Sequence, residues 1–378
     1  MKRSWQRGFG VAIALGAVRF GAAAWYGQDS AAWLDGDETV VRGLAAELVE
    51  FERADSVTRA THPENRFAGE WALVTHQMTA LGLAQVMLAH PEWKGAYAPT
   101  LRTAALRAFL PEMRDFGTRA WHGEDALASL AGAHGHAYLA YSALALGMAR
   151  WLDPEGFPPD VARAHDALIA AYERRLLASP TGLIETYPDE AFPTDVAAVA
   201  AAIAVHGRVT GIDHAPVLAH WVREVRSVQI DRASGFVHQR MSVDGTPRDV
   251  PRGSGTGLAA YYAGFVDRSL AAELTSALLA HERTLLGFGA IAEFGARVGH
   301  GDIDSGPVIL GVSVAATGFS LAPFRALGHR EAFTRLFRTT TLFGLPAWRG
   351  EALCFRTGGP IGNALLLAML TSGPELAR

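Results

Sequence analysis

Apolar residues recur at three- and four-residue spacing along nearly the whole chain, the period of helices that bury one face. The pattern predicts helices over Val40–Arg53, Trp71–Leu88, Leu101–Phe116, Leu127–Trp151, Val161–Leu177 and Val196–Val209. It continues through Ala215–Val228, Leu258–Val266, Leu270–Leu286, Val308–Leu327, Glu331–Leu342 and Ile361–Leu370. That makes about twelve helices. Strand signals are confined to Gly235–Ser242 and its turn Val243-Asp244-Gly245.

Alternate helices share a character. Six of them begin near Phe67, Ala131, Phe192, Pro251, Ser305 and Gly358, at spacings of about 53 to 64 residues. Each is approached through glycine or proline, and most are rich in Ala and Gly with few charges. A helix with so little polar surface must be buried on all sides. The helices between them, such as Val161–Leu177 with Glu173-Arg174-Arg175, keep a charged face and belong outside. Six inner and six outer helices in alternation predict an all-α (α/α)6 barrel or toroid, with an open α-solenoid of the same hairpins as the alternative. In the toroid, the loops leading into the inner helices converge on one rim, with positive helix N-termini pointing at it.

The chain has 378 residues, 49% hydrophobic and 19% charged, with a formal net charge of −4. No long Lys/Arg cluster is present, which argues against a nucleic-acid partner. Cys354 is the only cysteine, so neither an internal disulfide nor a thiolate cluster is available. Lys2, Arg3 and Arg7 precede the apolar run Phe9–Val18, then Arg19, Phe20–Tyr26 and the small residues Ala22-Ala23-Ala24. This describes a signal peptide over residues 1–26, cleaved near Ala24 or kept as a weak membrane anchor. The body would then be exported, periplasmic or on the outer face of the cytoplasmic membrane. No linker divides the rest, and residues 27–378 read as one domain.

The predicted rim gathers the polar residues. Gly182–Val196 is a proline-broken loop carrying Glu185, Tyr187, Asp189, Glu190 and Asp195, and Thr194 or Asp195 is also placed to cap the helix that follows. The other approaches bring Glu70, His134 and His136, then Arg252, Ser254 and Thr256, then His300, Asp302 and Asp304. His134 and His136 are two apart and make a poor metal pair. Asp302 and Asp304 before an apolar helix form either an acid–base pair or an ordinary cap. Arg252-Gly-Ser-Gly-Thr-Gly257 has the glycines of a phosphate loop but no strand before it. With no nucleotide, Walker, nucleophile-elbow or zinc-helix motif, the chemistry expected is acid–base work by Asp, Glu, His and Tyr, without a cofactor or metal.

The run Leu183–Ala200, with Pro188-Asp189 and Phe192, resembles the linalool dehydratase/isomerase family, as does Ala133-His-Gly-His-Ala-Tyr-Leu139, which sets His136 on that family's catalytic histidine. Gly211-Ile-Asp213, Asp231 through Phe236, and Asp304-Ser-Gly306 follow its order, so the likeness spans Phe67 to Leu342. The family's two catalytic cysteines have no counterpart: Thr186 and Asp195 stand in their places. Its aromatic hydroxyl near the fourth inner helix falls around Gly253–Ser254. The resemblance implies an exported, cofactor-independent homo-oligomer that dehydrates or isomerises a small terpenoid or allylic alcohol.

On that expectation Asp195 is the general acid or base, its pKa raised by an apolar cavity, and His136 exchanges the second proton. Glu185 and Asp304 assist, while Tyr187, Asp189, Glu70, Ser254, Asp302 and Tyr138 bind the substrate. Two other readings stand beside it. An (α/α)6 barrel with carboxylates such as Asp195 and Asp304 across its mouth would suit carbohydrate chemistry. A toroid of this kind would equally serve as a non-catalytic binder of a small apolar ligand.

Overall fold

The computed structural model describes residues 21–54, 66–295, 299–302 and 305–373. Helix dominates: α1 (Ser30–Asp35), α2 (Glu38–Arg53), α3 (Arg66–Ala89), α4 (Lys94–Arg107), α5 (Pro111–Ala120), α6 (Ala140–Leu152) and α7 (Pro159–Ala178) come first. They are followed by α8 (Pro193–Thr210), α9 (Ala215–Glu224), α10 (Gly253–Ala263), α11 (Arg268–Ala280), α12 (Val314–Ala326), α13 (Arg330–Gly344) and α14 (Gly359–Thr371). Three antiparallel hairpins interrupt them: β1 (Glu282–Leu285) with β2 (Phe288–Ile291), β3 (Val308–Ile309) with β4 (Val312–Ser313), and β5 (Pro346–Arg349) with β6 (Ala352–Phe355).

Amphipathicity sorts the helices as expected. On α2 the carboxylate of Asp37 caps the first turn by accepting from the backbone of Thr39 and Val40, and the stripe Val40, Val41, Leu44, Ala45 and Leu48 faces inward. Helix α3 is apolar and long enough to cross a membrane, yet most of it is buried inside the protein. Two of its buried glutamines tie it to other helices. Gln77 Nε2 donates to Tyr262 Oη at 2.9 Å, and Gln85 Nε2 donates to the backbone oxygen of Ala368 at 2.8 Å. Such bonds fix neighbouring helices in register, because each would cost about 1–3 kcal/mol if left unmade.

The six apolar helices pack in sequence. α3 lies against α6, α6 against α8, α8 against α10, α10 against α12, α12 against α14, and α14 returns to α3. The more charged helices each pack against members of this set, α4 against α3 and α6, α7 against α6 and α8, α11 against α10 and α12, and α13 against α12, while α2 packs on α14 and β6. Small residues permit the approach: a Cβ on Gly82 of α3 would meet Leu367 Cγ of α14 at 2.7 Å.

Several sequence-based spans need correction. Leu101–Phe116 is two helices, broken before Pro111, which starts the second. Leu127–Trp151 is helical only from Ala140, because Gly135 and His136 both take left-handed backbone angles, φ 97° and 61°. Leu270–Leu286 ends as helix at Ala280 and turns into β1, and Val308–Leu327 starts as the β3–β4 hairpin. Both hairpins turn on Leu-Gly pairs with positive φ, Leu286-Gly287 and Leu310-Gly311. Type I′ turns favour Asn-Gly there, so a leucine in the first place disguised the turn as helix. Gly235–Ser242 makes only isolated bridges, Ile230 with Val237 and Met241 with Ala191 among them.

Candidate active site

The N-terminal turns of all six apolar helices border one cavity of about 480 Å³. Glu70 and Trp71 come from α3, Tyr141 from α6, Thr194 and Asp195 from α8, Ser254 and Gly255 from α10, Val314 and Ala315 from α12, and Ile361 and Gly362 from α14. Most of the wall is aliphatic or aromatic, including Val74, Phe192, Leu258, Phe319, Leu366 and Met369. Glu70 and Asp195 are the acids of this wall, alongside hydroxyls such as Ser254, Ser313 and Thr317 and the Gln239 amide.

Asp195 lies in the first turn of α8, behind Pro193 at the helix start. The expected cap is not what its carboxylate forms. Tyr141 Oη donates to Oδ1 at 2.5 Å and Thr186 Oγ1 donates to Oδ2 at 2.7 Å. The residue is 6% exposed, so its oxygens are reached only from the cavity side. Burial and the neighbouring Asp195 charge push the Tyr141 phenol well above its ordinary range, which keeps it a donor. Thr194, the other expected cap, donates to the backbone oxygen of Gly255 at 3.2 Å.

Glu70 forms the second acidic point, its Oε2 accepting from Tyr187 Oη at 3.1 Å. Tyr187 also lines the cavity and stacks on the fully buried Tyr138 with ring centres 6.2 Å apart. Ser254, at the start of α10, is the third. Its Oγ donates to Glu293 Oε1 at 2.5 Å while its backbone N–H donates to Oε2 at 3.2 Å. Glu293 is fully buried, and that burial raises its carboxyl to about 7 against the opposing pull of its hydrogen bonds. A carboxyl near neutrality behind a cavity-lining hydroxyl is fit to pass a proton in either direction.

The other residues singled out from sequence lie elsewhere. His136 is buried beside Trp121, with ring centres 4.5 Å apart, and is not among the cavity's lining residues. It stands behind the site: Trp121 Nε1 donates to the backbone oxygen of Thr186, whose hydroxyl holds Asp195. Burial lowers the His136 imidazole to about 4, so it is neutral at ordinary pH. Glu185 pairs with the exposed His134 at 2.6 Å, and Asp189 occupies the left-handed corner of the turn from Tyr187 to Glu190, with φ 63°. Asp302 pairs with Arg252 and accepts from the backbone of Ser305 at 3.0 Å. Asp304 lies outside the described residues.

Tyr141 and Glu293 were not anticipated. Tyr141 follows Tyr138 by three positions, one helical turn further along, and was legible as its neighbour. Glu293 follows a hairpin that reads as helix, so no sequence signal placed it at the rim. Among the described residues, no group of three or more His, Cys, Asp or Glu is arranged to hold a metal ion. No protein-family model matches the chain, and no curated protein matches it in sequence.

Proposed function

We propose that the six successively packed apolar helices form the inner wall of an (α/α)6 barrel, and that its mouth is the active site of a cofactor-independent lyase or isomerase. The substrate class is a small terpenoid or allylic alcohol, and the body of the protein works outside the cytoplasm. One observation carries the reading: the Asp195 carboxylate, held by two hydroxyl donors, faces a chamber whose wall is mostly apolar, with hydroxyls and the Gln239 amide among its polar groups.

In the proposed dehydration the hydroxyl of the substrate lies beside Asp195 and Ser254 and its hydrocarbon against Phe319, Leu366 and Met369. Protonated Glu293 donates to Ser254 Oγ, the Ser254 O–H turns from Glu293 to the leaving oxygen and passes its proton there as Oγ takes the proton of Glu293, the C–O bond breaks and water departs. Asp195 removes a proton from the neighbouring carbon, and that C–H pair becomes the new C=C bond. Alcohol thus gives alkene and water, and the two carboxyl groups reset by exchanging protons with solvent. Glu70 and Tyr187 orient the hydroxyl. This assigns the second proton to Ser254 and Glu293, in place of His136, because Ser254 borders the cavity. The predominance of aliphatic and aromatic wall favours such a substrate over a sugar, which presents hydroxyls all round its ring.

The test is a thermal-shift panel of monoterpene alcohols, short allylic alcohols, and mono- and disaccharides, followed by headspace detection of alkene. Wild type and Asp195→Asn are run in parallel. A terpenoid alcohol that stabilises wild type and yields alkene only with Asp195 intact is the expected result. Full turnover by Asp195→Asn would sink the mechanism, and stabilisation by sugars alone would move the site to carbohydrate chemistry.

A further inference from the structure

The rim around the cavity mouth carries an unusual surface. Leu285 is 71% exposed, Leu286 48%, Ile309 50% and Leu310 87%, all at the ends of the β1–β2 and β3–β4 hairpins. Leu286 and Leu310 also hold left-handed backbone angles, φ 53° and 52°, which cost a leucine more than the asparagine or glycine these turns prefer. Two strained, solvated leucines at two neighbouring turns call for a partner that rewards them.

The two hairpins are joined. Arg283 Nη1 donates to the backbone oxygen of Leu310 at 3.0 Å, and Ala292, just past β2, bridges to Val312 of β4. Leu285 is two residues from Arg283 and so projects on the same side of β1, toward the Leu310 turn. The patch runs on into the cavity, because Ile309, Val312, Val314 and Phe343 line it and three of these four are exposed as well. Positive charge accompanies it. Arg283 and Arg338, which donates to the Gly287 oxygen at 2.8 Å, form no ion pair among the described residues. Helix 21–27 also reaches this rim: Gly287 lies against Ala23, and the Tyr26 ring is 5.9 Å from that of Phe288. Trp25 beside it is 68% exposed, and in sequence this helix follows Lys2, Arg3, Arg7 and the apolar run Phe9–Val18.

We propose that this rim docks on an anionic lipid bilayer, with Leu285, Leu286 and Leu310 immersed and Arg283 and Arg338 at the headgroups, so that the cavity opens toward lipid. Exposed leucines flanked by arginines that form no ion pair among the described residues match an anionic interface in both polarity and charge. Such seating would let an apolar alcohol pass from the bilayer to the cavity without crossing water. That benefit rests on the proposed function, whereas the docking itself is read without any substrate.

The experiment uses the full chain. Cys354 is the only cysteine and is buried, so Leu286→Cys, Leu310→Cys and Glu155→Cys accept an environment-sensitive dye selectively. Glu155 is exposed in the turn after α6, at the end remote from the cavity. With phosphatidylglycerol-containing vesicles, dye emission should rise several-fold at positions 286 and 310 and stay flat at 155, with a weaker rise on pure phosphatidylcholine or at high salt. Protein that binds the vesicles while dyes at 286 and 310 stay in water overturns the proposal, because the N-terminal segment alone would account for binding. A rise that needs protein concentration instead of vesicles also overturns it, by assigning the rim to a second copy of the chain. Docking that persists in Asp195→Asn without turnover in any substrate assay separates this inference from the proposed chemistry.

Discussion

Asp195 and His206 stand on the same helix, three turns and roughly 16 Å apart, and both are buried in hydrogen-bonded networks of titratable groups. At the first end the carboxylate is held by Tyr141 and Thr186 and borders a mostly apolar chamber. At the second, His206 Nδ1 meets His214 Nε2 at 3.0 Å and its Nε2 meets Asp166 Oδ1 at 3.0 Å, with Arg150 on the same carboxylate. His165 lies edge-on to His206 at 5.4 Å, and burial lowers its imidazole to about 3. The histidine end has the more crowded chemistry but none of its groups lines the cavity. A shifted titration such as that of His165 marks burial; a buried titratable group marks a place where a substrate could react only when it lies beside accessible space.

The sharpest break between the two ends is kinetic. Asp195→Asn should lower turnover by about 10²–10⁴-fold with little change in melting temperature, as loss of a general acid or base does. His206→Ala should cost about 1–3 kcal/mol of stability and leave turnover per folded molecule intact. Equal kinetic losses, measured at matched folded fractions, would erase the distinction.

The next effect is electrostatic and has a sign. Glu293 is raised from an ordinary 4.5 to about 7, so its favourable contribution is complete below pH 4.5 and is lost as pH rises through 7. His136 is lowered from 6.5 to about 4, so its contribution is complete above pH 6.5 and is lost as pH falls toward 4. Glu293→Gln should remove the first trend alone. The variant's stability relative to wild type should climb between pH 4.5 and 7 by up to roughly 3 kcal/mol, read by denaturant titration at each pH. A constant difference would mean that Glu293 does not titrate in this window.

Glycines give the smallest contrast. A Cβ on Gly253 would fall 2.2 Å from the backbone oxygen of Ala292, forcing the start of α10 away from the Glu293 loop. Gly253→Ala should cost about 1–3 kcal/mol and also disturb the bond from Ser254 to Glu293, lowering turnover. On α8 near His206, a Cβ on Gly207 would meet the Ile212 oxygen at 3.0 Å, a tight but adjustable contact. There the helix-propensity gain of about 0.5–1 kcal/mol should offset the crowding, so Gly207→Ala should be near neutral in melting temperature and in rate.

How far the sequence reaches differs between the same regions. The approaches to α3, α8, α10 and α14 were legible because Pro and Gly punctuate them and the helices beyond carry almost no charge. Asp195 stood out for the same reason, trapped between Pro193 and an alanine-rich helix. The place of His136 was not legible, because a histidine in a left-handed loop position obeys no helical period, and its ring lies against Trp121. Glu293 was illegible because the hairpin before it hides its turn behind Leu286. A pattern of apolar spacing records which residues are buried, not where the backbone reverses.

The contact between α3 and α14 has a consequence in time. Gln85 and Ala368 are bonded across 283 positions of sequence, and Ile361, Leu365, Leu366 and Met369 of α14 supply cavity wall. During synthesis the first five apolar helices emerge with one flank of α3 and one of α12 uncovered, and the slowest, most non-local closure comes last. Until α14 docks, the chamber lacks that wall and the acids of the rim face water. Completion of folding and closure of the chamber are then one event, and on the proposed function a ligand that fills the chamber should speed the final step without touching those before it.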